Sequence, residues 1–255
     1  WRLAEFLWPN ISGRQYPVHR RWLDAIPAEG RIWTPTLYMG VLPIVLAWGT
    51  VRFRHGPIRR RWLAWVAVLS TMAGFGYYGL GWLLAECHVD TGLGGPFGGL
   101  YWLMNLLLPG YLRFRYPAKL LVVTSLAVSL LAARGWDRAF GGRSDRVQRL
   151  LLALGGVSLL GLLGVIAVRP FWSGWLAAVP ADPLFGPLDA FGAWRDLAFA
   201  FAQTAILCGA FVWLLRAYGR SMSGRAGGLA LAVAPIAALM LLAADLAWSN
   251  AWLVA

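Results

Sequence analysis

Charge is scarce in this chain: Asp, Glu, Lys and Arg make up 13% of its 255 residues, about half the share usual in a soluble domain. Hydrophobic residues make up 59%, and the mean hydropathy is +0.60. So few polar groups cannot clothe a globular surface, and a second apolar phase must cover the rest. Histidine is scarcer still. His19, His55 and His88 all fall outside the long apolar runs, which leaves no intramembrane axial ligand for haem or chlorophyll. The apolar runs also lack a ladder of acids or histidines, which excludes a proton relay or ion pump. The absence of a Walker-type loop excludes an ATPase, and no Ser–His–Asp grouping follows from spacing. The two cysteines, Cys87 in a loop and Cys208 in the middle of an apolar run, sit at depths too different for a disulfide. No signal-peptide pattern opens the chain, which begins with Trp1; it reads as part of a longer protein.

What is present is tryptophan, 16 residues, as expected where amphipathic rings line a membrane–water boundary. The fold class expected is all-α, a polytopic integral membrane helical bundle. About six spans are predicted, at 32–51, 62–85, 118–133, 150–168, 197–215 and 227–248, with interfacial or re-entrant helices in the outer loops. Residues 1–31 then form an extracytoplasmic segment, 169–196 a Trp- and Pro-rich outer loop, and 249–255 an extracytoplasmic end. The net charge of +12 resembles a nucleic-acid signal until the charges are placed. The turns after spans one, three and five hold thirteen arginines against Asp137 and Asp145, while the rest of the chain holds ten cations and nine acids. Such asymmetry marks the arginine-rich turns as cytoplasmic and both ends of the chain as outside. Nucleic acid is not an expected partner; membrane lipids are.

Several constellations could carry chemistry. GFGYYG, Gly74 to Gly79, matches the dinucleotide fingerprint but lies in a charge-free run with no strand before it. Its glycines, with Gly81, are better read as sites of close helix approach or local loosening. In the loop ECHVDTG, the residues Glu86, His88 and Asp90 alternate as metal ligands on an extended segment would. An ordinary polar loop fits better, because no second ligand cluster accompanies them. The apolar stretch 100–108 is too short to span and reads as interfacial or re-entrant. Arg113, Arg115 and Lys119 lie at an outer mouth where the positive-inside rule disfavours cations. They either hold a lipid phosphate or pyrophosphate, or snorkel to headgroups. Asp245 is the one carboxylate well inside an apolar run. It is a functional candidate by default, although a boundary within about a turn offers it solvation.

Four stretches together resemble the YfhO-type bacterial membrane proteins, relatives of the GT-C glycosyltransferases. They are LAEFLWPNISGR (3–14), WTPTLYMGVLPIVLAW (33–48), LLPGYLRFRYPAKLLVV (107–123) and AADLAWSNAWLV (243–254). The resemblance implies a multi-pass protein of the bacterial cytoplasmic (inner) membrane that transfers a sugar from a polyprenyl-phosphate-linked donor at the outer face. It places Arg115 and Lys119 at the lipid phosphate. The family's catalytic acid lies in a first outer loop that is expected to precede this sequence. No catalytic residue carries over, and Glu5, Asp24 and Glu29 match no motif. No cofactor is evident, although a transferase of this kind would use a divalent metal or a general base. The alternative is a non-catalytic subunit whose glycines in spans two and four, among them Gly155, Gly156, Gly161 and Gly164, pack against other membrane subunits. A transporter is less expected, because no paired broken helices suggest inverted repeats.

Overall fold

The computed structural model describes residues 2–25, 34–51, 58–76, 78–89, 92–113, 116–177, 179–224 and 229–254. Among these there is no strand. Eight α-helices follow in order: α1 Val41–Thr50, α2 Ile58–Gly74, α3 Leu80–Glu86, α4 Leu100–Leu107, α5 Leu121–Phe140, α6 Asp145–Leu176, α7 Ala190–Met222 and α8 Leu229–Asn250. Among the described residues, four stretches are long and apolar enough to cross a membrane: Pro117–Phe140, Asp145–Leu176, Ala190–Met222 and Leu231–Leu253. The chain divides into two compact units, residues 1–49 with 134–255, and residues 50–133.

In the larger unit α6 and α7 pack antiparallel. Gly155 faces Cys208, Gly161 faces Phe201, and Trp172 and Leu176 form a buried cluster with Ala193 and Leu197. Each helix carries an uncharged window bounded by charge. Arg149 and Arg169 are 20 residues apart, as are Asp196 and Arg216, and 20 residues make about 30 Å of helix, the thickness of a hydrocarbon core. Both helices run past those limits, so the expected spans 150–168 and 197–215 were only their apolar middles. About half of the expected loop 169–196 is helical, residues 169–176 and 190–196. α6 continues through Pro170, at the cost of the donor to the Ile166 carbonyl. α7 starts at Asp189, whose Oδ1 accepts from the Gly192 amide at 2.8 Å and caps the helix. α7 is the central helix, with 44% of its apolar window buried against 17% for α6 and α8.

The first expected span takes another form. Only α1 is helical, ten residues or about 15 Å, and residues 34–40 are irregular. Residues 26–33 lie outside the described residues. Such backbone is tolerated at membrane depth only where protein covers it, and Tyr38, Val41 and Leu42 are buried. A Cβ on Gly49 would collide with the Val147 side chain near the start of α6, and one on Gly135 with the Leu46 backbone.

Residues 2–25 are not a loose outer segment. Trp8 Nε1 donates to Ser158 Oγ at 2.9 Å, the Thr204 hydroxyl to the Leu7 carbonyl at 3.4 Å, and Asn10 Nδ2 to the Ser249 carbonyl at 3.2 Å. Ser158 and Thr204 are fully buried. The segment therefore wedges into one end of the bundle, tied by these bonds to α6, α7 and α8.

In the smaller unit the expected span 62–85 is broken. α2 ends at Gly74, Gly76 has φ +58°, and α3 restarts at Leu80. The GFGYYG glycines lie where the helix breaks. Gly79 N donates to Gly95 O at 3.1 Å and Gly81 N to Phe97 O at 3.0 Å. A Cβ on Gly81 would strike the Gly94 carbonyl. α2 and α5 are joined by the Ser70 and Thr124 hydroxyls at 2.8 Å. The apolar stretch 100–108 forms the eight-residue α4, as short as expected, with Leu103, Leu106 and Leu107 exposed.

Candidate functional site

The larger unit has two chemically different ends. Where α5 and α7 finish and α6 begins lie Arg134, Arg138, Arg143, Arg146, Arg149, Arg216 and Arg220, with Asp137 and Asp145. At the other end, where α7 begins and α8 finishes, the wedge 2–25 borders an open cavity of about 400 Å³.

Its mouth is built on an ion-pair cluster. Arg14 grips Asp196 with two bonds, Nε to Oδ2 at 2.8 Å and Nη2 to Oδ1 at 2.9 Å. Arg20 bridges Asp189 at 3.0 Å and Asp196 at 3.5 Å. Asp196 is 7% exposed; a carboxylate so placed persists only when paired and hydrogen-bonded. The wedge reaches these partners through Gly13, which has φ +84° and stands where a Cβ would strike the Arg20 carbonyl. Beside the cluster, the loop before α7 is clasped by Asp182, whose Oδ1 accepts from the Leu184 and Phe185 amides at 2.7 and 3.0 Å. Those two amide bonds hold its carboxyl below the usual carboxylate value of 3.8.

The floor is a buried polar network. Asp245, 3% exposed, accepts from the Tyr38 hydroxyl at 2.8 and 2.7 Å and from Gln203 Nε2 at 2.7 Å. Gln203 Nε2 also donates to Ser249 Oγ at 2.8 Å. The Tyr38 oxygen accepts in turn from the Val41 amide at 3.2 Å, which sets the carboxylate near the positive end of the half-helix α1. Gln203 lies seven residues beyond Asp196 along α7, about 10 Å deeper. Asp245 is therefore enclosed by protein and deeper than expected, rather than within easy reach of solvent.

Between mouth and floor the lining mixes Asn10, Arg195, Gln203 and Ser249 with Pro9, Phe199, Trp248 and Trp252. Arg195 has no acidic partner among the described residues. Trp252, 6% exposed, has no acceptor for its indole N–H among them.

The other expected site residues are placed differently. Arg113 and Lys119 are exposed in the smaller unit, the Lys119 ammonium 5.2 Å from the centre of the Tyr116 ring. Arg115 and Asp90 lie outside the described residues. Glu86 and His88 are exposed, with His88 Nδ1 3.1 Å from the carbonyl of Glu86 itself. No group of three metal-ligating side chains occurs among the described residues. Both cysteines are free. Glu5 is buried and accepts from the Ser12 hydroxyl.

No protein-family model, curated protein or solved structure matches the chain.

Proposed function

We propose that the cavity at the α7–α8 end binds a polyprenyl-phosphate-linked sugar at the outer face of the bacterial cytoplasmic membrane, the donor of a GT-C-like glycosyl transfer. The observation that carries this reading is the lining itself. One arginine without an acidic partner among the described residues, Arg195, stands beside hydrogen-bonding amides and a hydroxyl and the aromatic faces of Trp248 and Phe199. A guanidinium suits a phosphate, amides suit sugar hydroxyls, and an indole offers a flat apolar face to a pyranose. We assign the phosphate to Arg195, because that arginine lines the cavity together with the amides, hydroxyl and aromatic rings, whereas Arg113 and Lys119 lie in the smaller unit.

In the transfer, the bond from the anomeric carbon to the phosphate oxygen breaks. The acceptor hydroxyl oxygen bonds to that carbon and gives its proton to a base, and polyprenyl phosphate leaves. Asp196 is the carboxylate lining the cavity, and Arg14 and Arg20 already engage both of its oxygens. The reading therefore assigns donor binding to this cavity and the base to a carboxylate outside it. The orientation follows from the arginine-rich end, which the positive-inside rule assigns to the cytoplasm. The six-pass topology, with both ends of the chain outside, belongs to the same proposal.

In lipid nanodiscs, polyprenyl phosphate glucose should bind the wild-type chain, and Arg195→Ala should weaken binding about tenfold or more, the order expected for one charge-assisted phosphate contact. Binding that ignores Arg195 would remove the reading.

A second reading, a subunit packed into a larger membrane complex, has one observation in its favour. Gly156 and Gly164 on α6 face open space, whereas Gly155 and Gly161 are filled by α7. Fixed partners that co-purify, and are lost with Gly156→Leu, would support it.

A further inference from the structure

The floor of the cavity fixes the polarity of one of its lining groups. An ionised carboxylate only accepts hydrogen bonds, and Asp245 takes them from the Tyr38 hydroxyl and from Gln203 Nε2. The tyrosine proton is committed to the carboxylate, which has none of its own to give, and the Tyr38 oxygen accepts from the Val41 amide. Gln203 must therefore turn its NH2 group, not its carbonyl, toward Asp245. Its second N–H is taken by Ser249 Oγ. Both donors are spent, and the remaining polar atom, Oε1, accepts nothing among the described residues. On the same lining, the Trp252 N–H is a buried donor without an acceptor among them.

We propose that Asp245 and Tyr38 lock Gln203 as an obligate hydrogen-bond acceptor, so that the cavity selects a hydroxyl-bearing sugar phosphate over the bare phosphate lipid. The proposal rests on the binding reading above. Gln203 is the specificity-determining residue, and Asp245 is a positioning residue that acts through it. A hydroxyl both donates and accepts, so the hydroxyls of one sugar can satisfy both Gln203 Oε1 and the Trp252 N–H, which line the same cavity. A phosphate oxygen can satisfy only the indole. A site built around a hydroxyl discriminates strongly against an analogue lacking it, since its own polar atoms are then left unpaired.

The test compares three probes on the full chain in nanodiscs: polyprenyl phosphate, polyprenyl phosphate glucose, and the same glucolipid with its sugar hydroxyls O-methylated. The wild type should prefer the glucolipid over the bare lipid by about tenfold or more, and O-methylation, which removes the donors and keeps the acceptors, should abolish that preference. Asp245→Asn frees the Gln203 amide to turn, and Gln203→Met deletes it. Each should collapse the ratio of the two affinities toward one. A merely structural role for Asp245 would weaken both lipids by the same factor and leave the ratio standing. That result, or an O-methylated lipid that binds as well as the free sugar, overturns the inference while the binding reading survives. If no probe binds the wild type, or if Arg195→Ala changes nothing, the reading falls and the inference with it.

Discussion

Asp196 joins the wedge to α7 by accepting from two arginines that are 182 and 176 residues away in sequence. Replacing it by alanine leaves Arg14 half-buried with its charge uncompensated, while Arg20 keeps Asp189. The expected loss is about 3 kcal/mol, the usual scale for breaking a buried pair, seen as a lower melting temperature in detergent. Arg14→Lys should cost part of that, because an ammonium cannot make the two-pronged contact. Asp182 supplies a pH test. Its carboxyl is held below the ordinary value by the amides of Leu184 and Phe185. The folded group is the stronger acid, so its contribution is present above the unfolded value and is lost as pH falls through the lowered folded one. Hydrogen exchange at Leu184 and Phe185 should stay slow at neutral pH and accelerate only below the ordinary carboxylate value of 3.8. Asp182→Ala should remove that protection at every pH. Asp245 stood out in the sequence as an acid in an apolar run, but its depth did not. Arg14, Arg195 and Asp196 did not stand out at all. Cutting each span at its last charge assigns such residues to loops, and no local pattern pairs residue 14 with residue 196.

α7 shows why helix boundaries read from hydropathy fall short. The helix continues through Asp196 at one end and through Arg216 and Arg220 at the other, since charge at the end of a span satisfies the headgroup region without breaking backbone hydrogen bonds. α1 errs in the opposite direction. Its uncharged run is long enough to cross, yet only the stretch from Val41 is helical, and Tyr38 before it turns its hydroxyl to Asp245. That partnership lies 207 residues away and outweighs local helix preference. The wedge depends on Gly13, whose φ of +84° and closeness to the Arg20 carbonyl leave no room for a side chain. Gly13→Ala should cost about 2 kcal/mol and weaken glucolipid binding. Gly156→Ala, whose Cβ meets nothing, should leave stability within about 0.5 kcal/mol. Paired thermal melts of the two variants make the comparison.

Taken whole, the chain is all-helical among its described residues, with four helices able to cross a bilayer, and composition alone made that class legible. Arginine at one end of the larger unit and a mixed polar–aromatic cavity at the other lead to a topological prediction. In a Cys87→Ser background, where the remaining Cys208 is buried, a cysteine introduced at Arg143 or Ser223 should react only with reagent admitted to the cytoplasm. One at the exposed Leu184 should react from outside. The cavity was beyond sequence reading because its walls come from the first twenty residues and the last two helices, and nothing short of the fold brings them together. The central claim is that this cavity receives a lipid-linked sugar. A photoreactive polyprenyl phosphate glucose in nanodiscs, with adducts mapped by mass spectrometry, tests it most directly. Adducts on residues 195–203 and 248–252, competed away by the unmodified glucolipid, are the predicted result. Adducts confined to other parts of the chain, or insensitive to that competitor, would contradict it.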